Sequence, residues 1–330
     1  MSITDFGTRS DGRAVGRVTL ENGSLSASFL TLGALIHEVR LEGVAHSLTL
    51  GGETPRDYEG VMEHFGAIMG PVANRITDAR AMIDGTEFSF DANQDGRHTL
   101  HGGSAATHTK LWQVADHDAR SVTFALDLPD GEGGFPGRRR IEATYTLDPD
   151  ALVLELRAAT DRPTLMNLAS HGYWTMQPPG DWSGQRLQIL ADRYLPTDDA
   201  NLPTGEIADV AGTAYDFREP RLLDAATAPK LDHNFCLSDA PRDLSPALRL
   251  SGPEGLTLEI STTAPGMQVF GMGSFAVDEA TLHGRGYPRF AALAFEPQHW
   301  PDAPTHPAFP AVLLRPGTVY TQTSRFAFSR

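Results

Sequence analysis

Residues 121–156 read SVTFALDLPDGEGGFPGRRRIEATYTLDPDALVLEL, and three strands can be seen in them. Val122, Phe124, Leu126 and Leu128 alternate with polar or small residues. Ile141, Ala143, Tyr145 and Leu147 do the same. After the turn Asp148-Pro149-Asp150, Leu152, Leu154 and Leu156 repeat the pattern. Successive side chains of a strand point to opposite faces, so a period of two means one buried face and one wetted face. That is the antiparallel pattern; buried parallel strands read as unbroken apolar runs.

The same reading extends in both directions. Val18 and Leu20, then Asn22-Gly23, then Leu25, Ala27 and Phe29 predict a hairpin with a primed turn. Ile83, Asp84-Gly85, Phe88 and Phe90 predict a second. Leu256, Leu258 and Ile260 predict a short strand, and Tyr320, Phe326 and Phe328 a closing one. Helical periodicity is scarce, with a turn or two expected between Arg56 and Phe65. Neither a fixed-period repeat nor an interdomain linker is visible, and Pro301 to Pro310 lies too near a strand-like segment to be one. The expectation is an all-β protein, a large antiparallel β-sandwich with few short helices, forming a single domain over residues 1–330.

Composition narrows the function. The chain has 330 residues and a net charge of −15. A nucleic-acid binder needs a basic face to displace counterions, so that class is excluded. Arg138, Arg139 and Arg140 form one basic run, read here as a solvated strand edge. Cys236 is the only cysteine, which rules out an internal disulfide. The first residues hold no apolar signal core, and no apolar run reaches the length of a membrane helix. The default expectation is a cytoplasmic protein, monomer or homodimer, with no membrane partner.

Several chemistries lack their motifs. No G-x-S-x-G elbow accompanies Leu100-His101-Gly102-Gly103, so an esterase oxyanion loop is not supported. No phosphate-cradling glycine loop stands between a strand and a helix. His98, His101 and His108, and separately His299, Asp302 and His306, have the residue types of metal ligands. Glycine and proline place both groups in loops, so no metal is expected.

Two segments carry unusual polar residues. Met166 to Trp174 packs Asn167, Ser170, His171 and Tyr173 together, and each polar group needs a partner if buried. Ala291 to Phe295 is apolar and runs straight into Glu296. Read from the residues alone, His171 is a satisfied core histidine or a functional one, and Glu296 is paired or functional. They lie far apart in the chain, and spacing alone does not bring them together.

In order along the chain stand Ala73-Asn74-Arg75-Ile76, Leu100-His101-Gly102-Gly103, Lys110-Leu111-Trp112, and Gly134-Phe135-Pro136-Gly137. The His171 segment, Pro203-Thr204-Gly205-Glu206, Asp232-His233-Asn234-Phe235 and Pro265-Gly266-Met267-Gln268 follow. Glu296-Pro297-Gln298-His299-Trp300-Pro301-Asp302-Ala303-Pro304 and Leu314-Arg315-Pro316-Gly317 complete the series. With these motifs the sequence resembles the aldose 1-epimerase family, the galactose mutarotases.

The resemblance implies a large β-sandwich with a sugar cleft on one concave face, acting on a small-molecule aldose without cofactor or metal. It implies Glu296 as general base and His171 as general acid. Arg75, His101 and Asp232 would hydrogen-bond the sugar, with Asn74, Gln268 and Gln298 in matching motifs. From the residue types themselves, Trp174 and Tyr173 either offer an aromatic face to the sugar's C–H groups or are ordinary core aromatics. Five positions depart from the family pattern: Pro71 stands in place of Arg, Ser170 in place of Asn, Trp174-Thr175 in place of Phe-Asn, and Pro297 in place of Thr. These reshape the pocket wall and bear on which sugar is preferred. Two alternatives remain: a hexose-6-phosphate 1-epimerase, which needs arginines converging on phosphate, and a non-catalytic sugar-binding protein on the same scaffold.

Overall fold

The structure is a computed structural model that describes residues 3–178 and 180–330. Strands dominate it. Its longest helical segment among the described residues is a five-residue 3-10 turn, Pro55–Glu59, in place of the expected helical turns between Arg56 and Phe65. Among the described residues no helix is long and apolar enough to cross a membrane.

Four strands at the start form a meander, Thr4–Thr8, Ala14–Asn22, Leu25–Leu30 and Ile36–Leu41. Asn22 pairs with Leu25, so the hairpin turns on Gly23-Ser24, one residue later than Asn22-Gly23. The second hairpin is as expected: Ile83 pairs with Thr86, and Asp84 and Gly85 have φ of 49° and 80°. Two successive positive φ values define the I′ turn, which matches the twist of the flanking strands.

The alternating stretch read first supplies three neighbours in a nine-stranded sheet, Ser121–Leu128, Arg139–Leu147 and Ala151–Thr160. Phe124 lies opposite Ala143, and Ala143 opposite Leu156, which puts the apolar sets of all three strands on one face. The last strand, Tyr320–Ser329, is central in this sheet. It pairs with Ala151–Thr160 on one side and Thr257–Thr262 on the other. Ser245–Ser251, Arg186–Ile189 and Arg221–Leu222 extend the sheet beyond it.

The basic run is not the solvated edge expected. Arg139 is fully buried within the sheet; its guanidinium packs over the Phe135 ring and donates to the Pro129 carbonyl at 2.6 Å. Arg138 and Arg140 flank it and are exposed, because neighbours in a strand face opposite ways.

A six-stranded sheet runs in the order Tyr173–Trp174, Leu293–Gln298, Gly266–Phe270, Asp232–Cys236, Arg193–Tyr194, Ala208–Asp209. All its pairings are antiparallel. One face carries Trp174, Leu293, Phe295, Met267, Val269 and Phe235 into a core shared with the other two sheets. Tyr145 shows how that core is fastened: it stacks on Phe29 at 4.3 Å and donates to the Ala34 carbonyl at 2.8 Å.

Candidate active site

The opposite face of the six-stranded sheet is polar although buried. Asn234 pairs with Gln268, and Gln268 with Glu296. Residues directly opposite in a ladder share a face, so these three form one row. Asp232, Phe270, Ala294 and Tyr173 form the adjacent row. Strand alternation is therefore what sends Phe295 into the core and Glu296 into a cleft.

That cleft encloses about 170 Å³. Its floor is Glu296, Asp232, Tyr173 and Phe270 from the sheet. Its walls are Arg75 and Leu100, paired in a short two-stranded ladder, and Asn74, His101, His64, His171 and Phe275 from loops. His171 Nε2 lies 3.4 Å from Glu296 Oε1, and both side chains are almost wholly buried. The two residues that sequence spacing left apart are thus direct neighbours.

His171 is held by its backbone. Its N–H donates to Ala67 O at 2.9 Å and its carbonyl accepts from Gly66 N–H at 3.0 Å. Gly66 has φ +73°, and a Cβ there would stand 2.0 Å from the Ile36 carbonyl oxygen, so only glycine fits this crossing. Asn74 and His101 brace each other. Asn74 N–H donates to His101 Nδ1 at 3.1 Å, and His101 N–H donates to Asn74 O at 2.9 Å. Both sit in the left-handed region, at φ 63° and 49°. The Asn74 bond occupies His101 Nδ1 as an acceptor, so the ring hydrogen lies on Nε2, free to donate. Arg75 is oriented by Gln94 Oε1 at 2.8 Å and Asn74 Oδ1 at 3.3 Å. Gln268 Nε2 donates to Asp232 Oδ1 at 2.8 Å.

The charges follow from burial. Burial raises the Glu296 carboxyl well above its ordinary value, and nearby Asp232 pushes the same way while Arg75 opposes. Burial holds His171 well below the ordinary imidazole value, with His64 adding to the effect. His101 is lowered for the same reason. Asp232 is raised by burial, against the pull of Arg75 and Lys230. Glu296 Oε2 and His171 Nδ1 are buried without hydrogen-bond partners among the described residues. A buried carboxylate oxygen with no donor is costly unless a ligand supplies one.

Of the residues expected at the site, Asn74, Arg75, His101, His171, Asp232 and Glu296 line the cleft. Gln268 stands behind Asp232, in an adjoining hollow it shares with Asn74 and Asn234. Gln298 shares the face of Glu296 but is fully buried beyond the cleft lining, and its amide has no partner among the described residues. Trp174 is corrected: it points to the core, stacked on Phe326 at 5.1 Å, and Tyr173 presents the ring to the cleft instead. A tryptophan beside the polar His171 segment looks like a sugar platform, but alternation gives adjacent residues opposite faces.

The sequence reading missed His64, Phe270 and Phe275. His64 precedes Phe65-Gly66 in a loop with no motif of its own, and only the fold brings its ring to 5.6 Å from His171. The histidine groups weighed as metal ligands part company. His306 pairs with Asp302 at 3.4 Å, while Asp302 accepts from Thr77 and Thr305. His98 Nδ1 accepts from the Asp78 backbone.

Comparison with known proteins agrees with this geometry. Residues 16–327 match the family model described as aldose 1-epimerase. The chain is 36% identical to the galactose mutarotase of Rattus norvegicus, over 97% of this chain and 96% of that protein. It is 31% identical to the aldose 1-epimerase of Escherichia coli (strain K12), over 96% of each chain. Among solved structures, the aldose epimerase homologue from C. elegans superposes with a TM-score of 0.88 at 30% identity, covering 96% of this chain and 99% of that one. The galactose 1-epimerase of Lactobacillus acidophilus NCFM gives 0.83 at 27% identity, covering 99% of each. The six-stranded sheet, its polar row and the matched length lead to one placement: the chain belongs to the aldose 1-epimerase family.

Proposed function

We propose that this protein is a mutarotase, an isomerase that interconverts the α and β anomers of a free aldose, with Glu296 as base and His171 as acid. The observation that carries the reading is the 3.4 Å approach of His171 Nε2 to Glu296 Oε1 at the floor of a small polar cleft. Anomer exchange opens the hemiacetal ring: one group takes the proton of the C1 hydroxyl while another gives a proton to the ring oxygen. Both oxygens are bonded to C1, so acid and base must be neighbours. After rotation about C1–C2 the ring closes on its other face and the protons return. Each positioned proton-transfer group contributes about 10²–10⁴-fold.

The remaining roles follow from the donors and acceptors present. Arg75 and the Nε2–H of His101 donate to sugar hydroxyls, and Asp232 accepts from them. Asn74 fixes His101 and Arg75, and Gln268 fixes Asp232. Tyr173 and Phe270 offer apolar surface to C–H groups. We read the chain as one domain, monomer or homodimer. A sugar-phosphate substrate is not favoured: Arg75 is the only arginine lining the cleft among the described residues, and Arg140 is paired with Asp127 at 2.8 Å elsewhere. A purely binding role has no use for a buried acid–base pair.

Polarimetry on freshly dissolved α-D-glucose and α-D-galactose tests the assignment. Glu296→Gln and His171→Asn are each expected to lower turnover by at least about 10²-fold with an unchanged circular dichroism spectrum. Near-normal rates in both variants would sink it.

A further inference from the structure

The imidazoles above the cleft outnumber what the reaction uses. His64 is 4.9 Å from His101 and 5.0 Å from His108, centroid to centroid. Two groups of ligand atoms share it, one with His101 and His171, the other with Glu63 and His108, and within each group the atoms lie within 4.8 Å of one another. The inner group is committed. His101 Nδ1 already accepts the Asn74 N–H, and His171 Nε2 faces Glu296. An ion on His101 Nε2 would displace the hydrogen there and set a protonated Nδ1 against the Asn74 N–H.

The outer group has no such commitment. The polar neighbour of the His64 ring is the Glu63 carboxylate at 3.6 Å. His108 is 7% exposed, and its Nδ1 is buried with no hydrogen-bond partner among the described residues. We propose that Glu63, His64 and His108 form a binding site for a divalent transition ion of the zinc class at the rim of the cleft. Two imidazoles and a carboxylate are a donor set suited to such an ion, with water completing a tetrahedron. Metal–ligand bonds of about 2.1 Å imply ligand separations of about 3.4 Å, within reach of small side-chain rotations.

The ligands also sit on fixed backbone. The turn Thr107–Thr109 is tied by the Trp112 indole donating to Thr107 O at 3.0 Å and by the Thr107 hydroxyl donating to Ile68 O. Met62 to Gly66 is tied by Phe65 N–H to Met62 O and by Gly66 N–H to His171 O, each at 3.0 Å. The site does not depend on the reaction proposed above.

The test is titration of the full-length protein with Co²⁺ and Zn²⁺, followed by calorimetry and by the visible absorption of bound cobalt. One ion per chain is expected. Glu63→Gln and His108→Gln are each expected to weaken binding at least about tenfold, the scale of losing one ligand, while anomer exchange without metal is retained as a check on folding. Glu63 is exposed, so its variant carries the test if His108→Gln does not fold. Absence of saturable binding by the wild type would overturn the site. So would unchanged binding by both variants, which would place the ion on His64, His101 and His171.

Discussion

Glu296 and His171 are best counted as a pair. Burial raises one and lowers the other, so between the lowered and the raised value the pair holds one proton. Placed on His171, that proton leaves a carboxylate base beside an imidazolium acid, the form that the proposed ring opening requires. Below the lowered value both groups are protonated and no base remains; above the raised value both are bare and no acid remains. The kcat/KM profile is therefore expected to be bell-shaped, its acid limb below the ordinary imidazole value of 6.5 and its alkaline limb well above the ordinary carboxyl value of 4.5. Rates measured from about pH 4 to about pH 10 check this, and a flat profile would refute a proton-transfer pair. At this scale the sequence was only half legible. The residue types at 171 and 296 are unusual for a core, but their meeting depends on strand pairing far away, and here the family motifs supplied what local chemistry lacked. His64 had neither help, and was missed.

Strand alternation does the sorting between core and cleft. Phe295 and Glu296, or Tyr173 and Trp174, are neighbours in sequence that belong to different compartments. The period-two pattern was readable from Ser121 to Leu156, where one face is wet. It was unreadable in Tyr173–Trp174 and in Leu293–Gln298, where every residue is buried. That is why Trp174 and Tyr173 were both candidates for the sugar face, of which only Tyr173 lines the cleft. Trp174→Phe is expected to cost about 1–3 kcal/mol of stability and to leave KM unchanged. A rise in KM at unaltered thermal midpoint would return the residue to the site. Gly66 tests the loop that carries His171. With φ +73° and the Ile36 carbonyl in the way, Gly66→Ala must move backbone, and should lower both the thermal midpoint and turnover. A variant matching the wild type in both measurements would show that the crossing tolerates a side chain.

Over the whole molecule, buried neutral histidines make the fold sensitive to acid. Burial holds His37 and His108 at about 3, and His64, His233 and His299 at about 4. The unfolded chain takes up these protons near the ordinary value of 6.5, whereas the folded chain resists until the lower values are reached. Stability is thus intact above about 6.5 and is lost progressively as pH falls towards 4 and 3. The urea midpoint should be lower at about pH 5 than at about pH 7.5, and equal midpoints would contradict it.

The position of Tyr320–Ser329 bears on how the chain is made. A ribosome delivers this strand after both of the strands it joins, Ala151–Thr160 and Thr257–Thr262. Until it arrives, each of them presents an unpaired edge and a row of uncovered apolar side chains, the kind of surface that invites aggregation. The nine-stranded sheet therefore closes only after its other eight strands have been made, with the strand at its centre joining last.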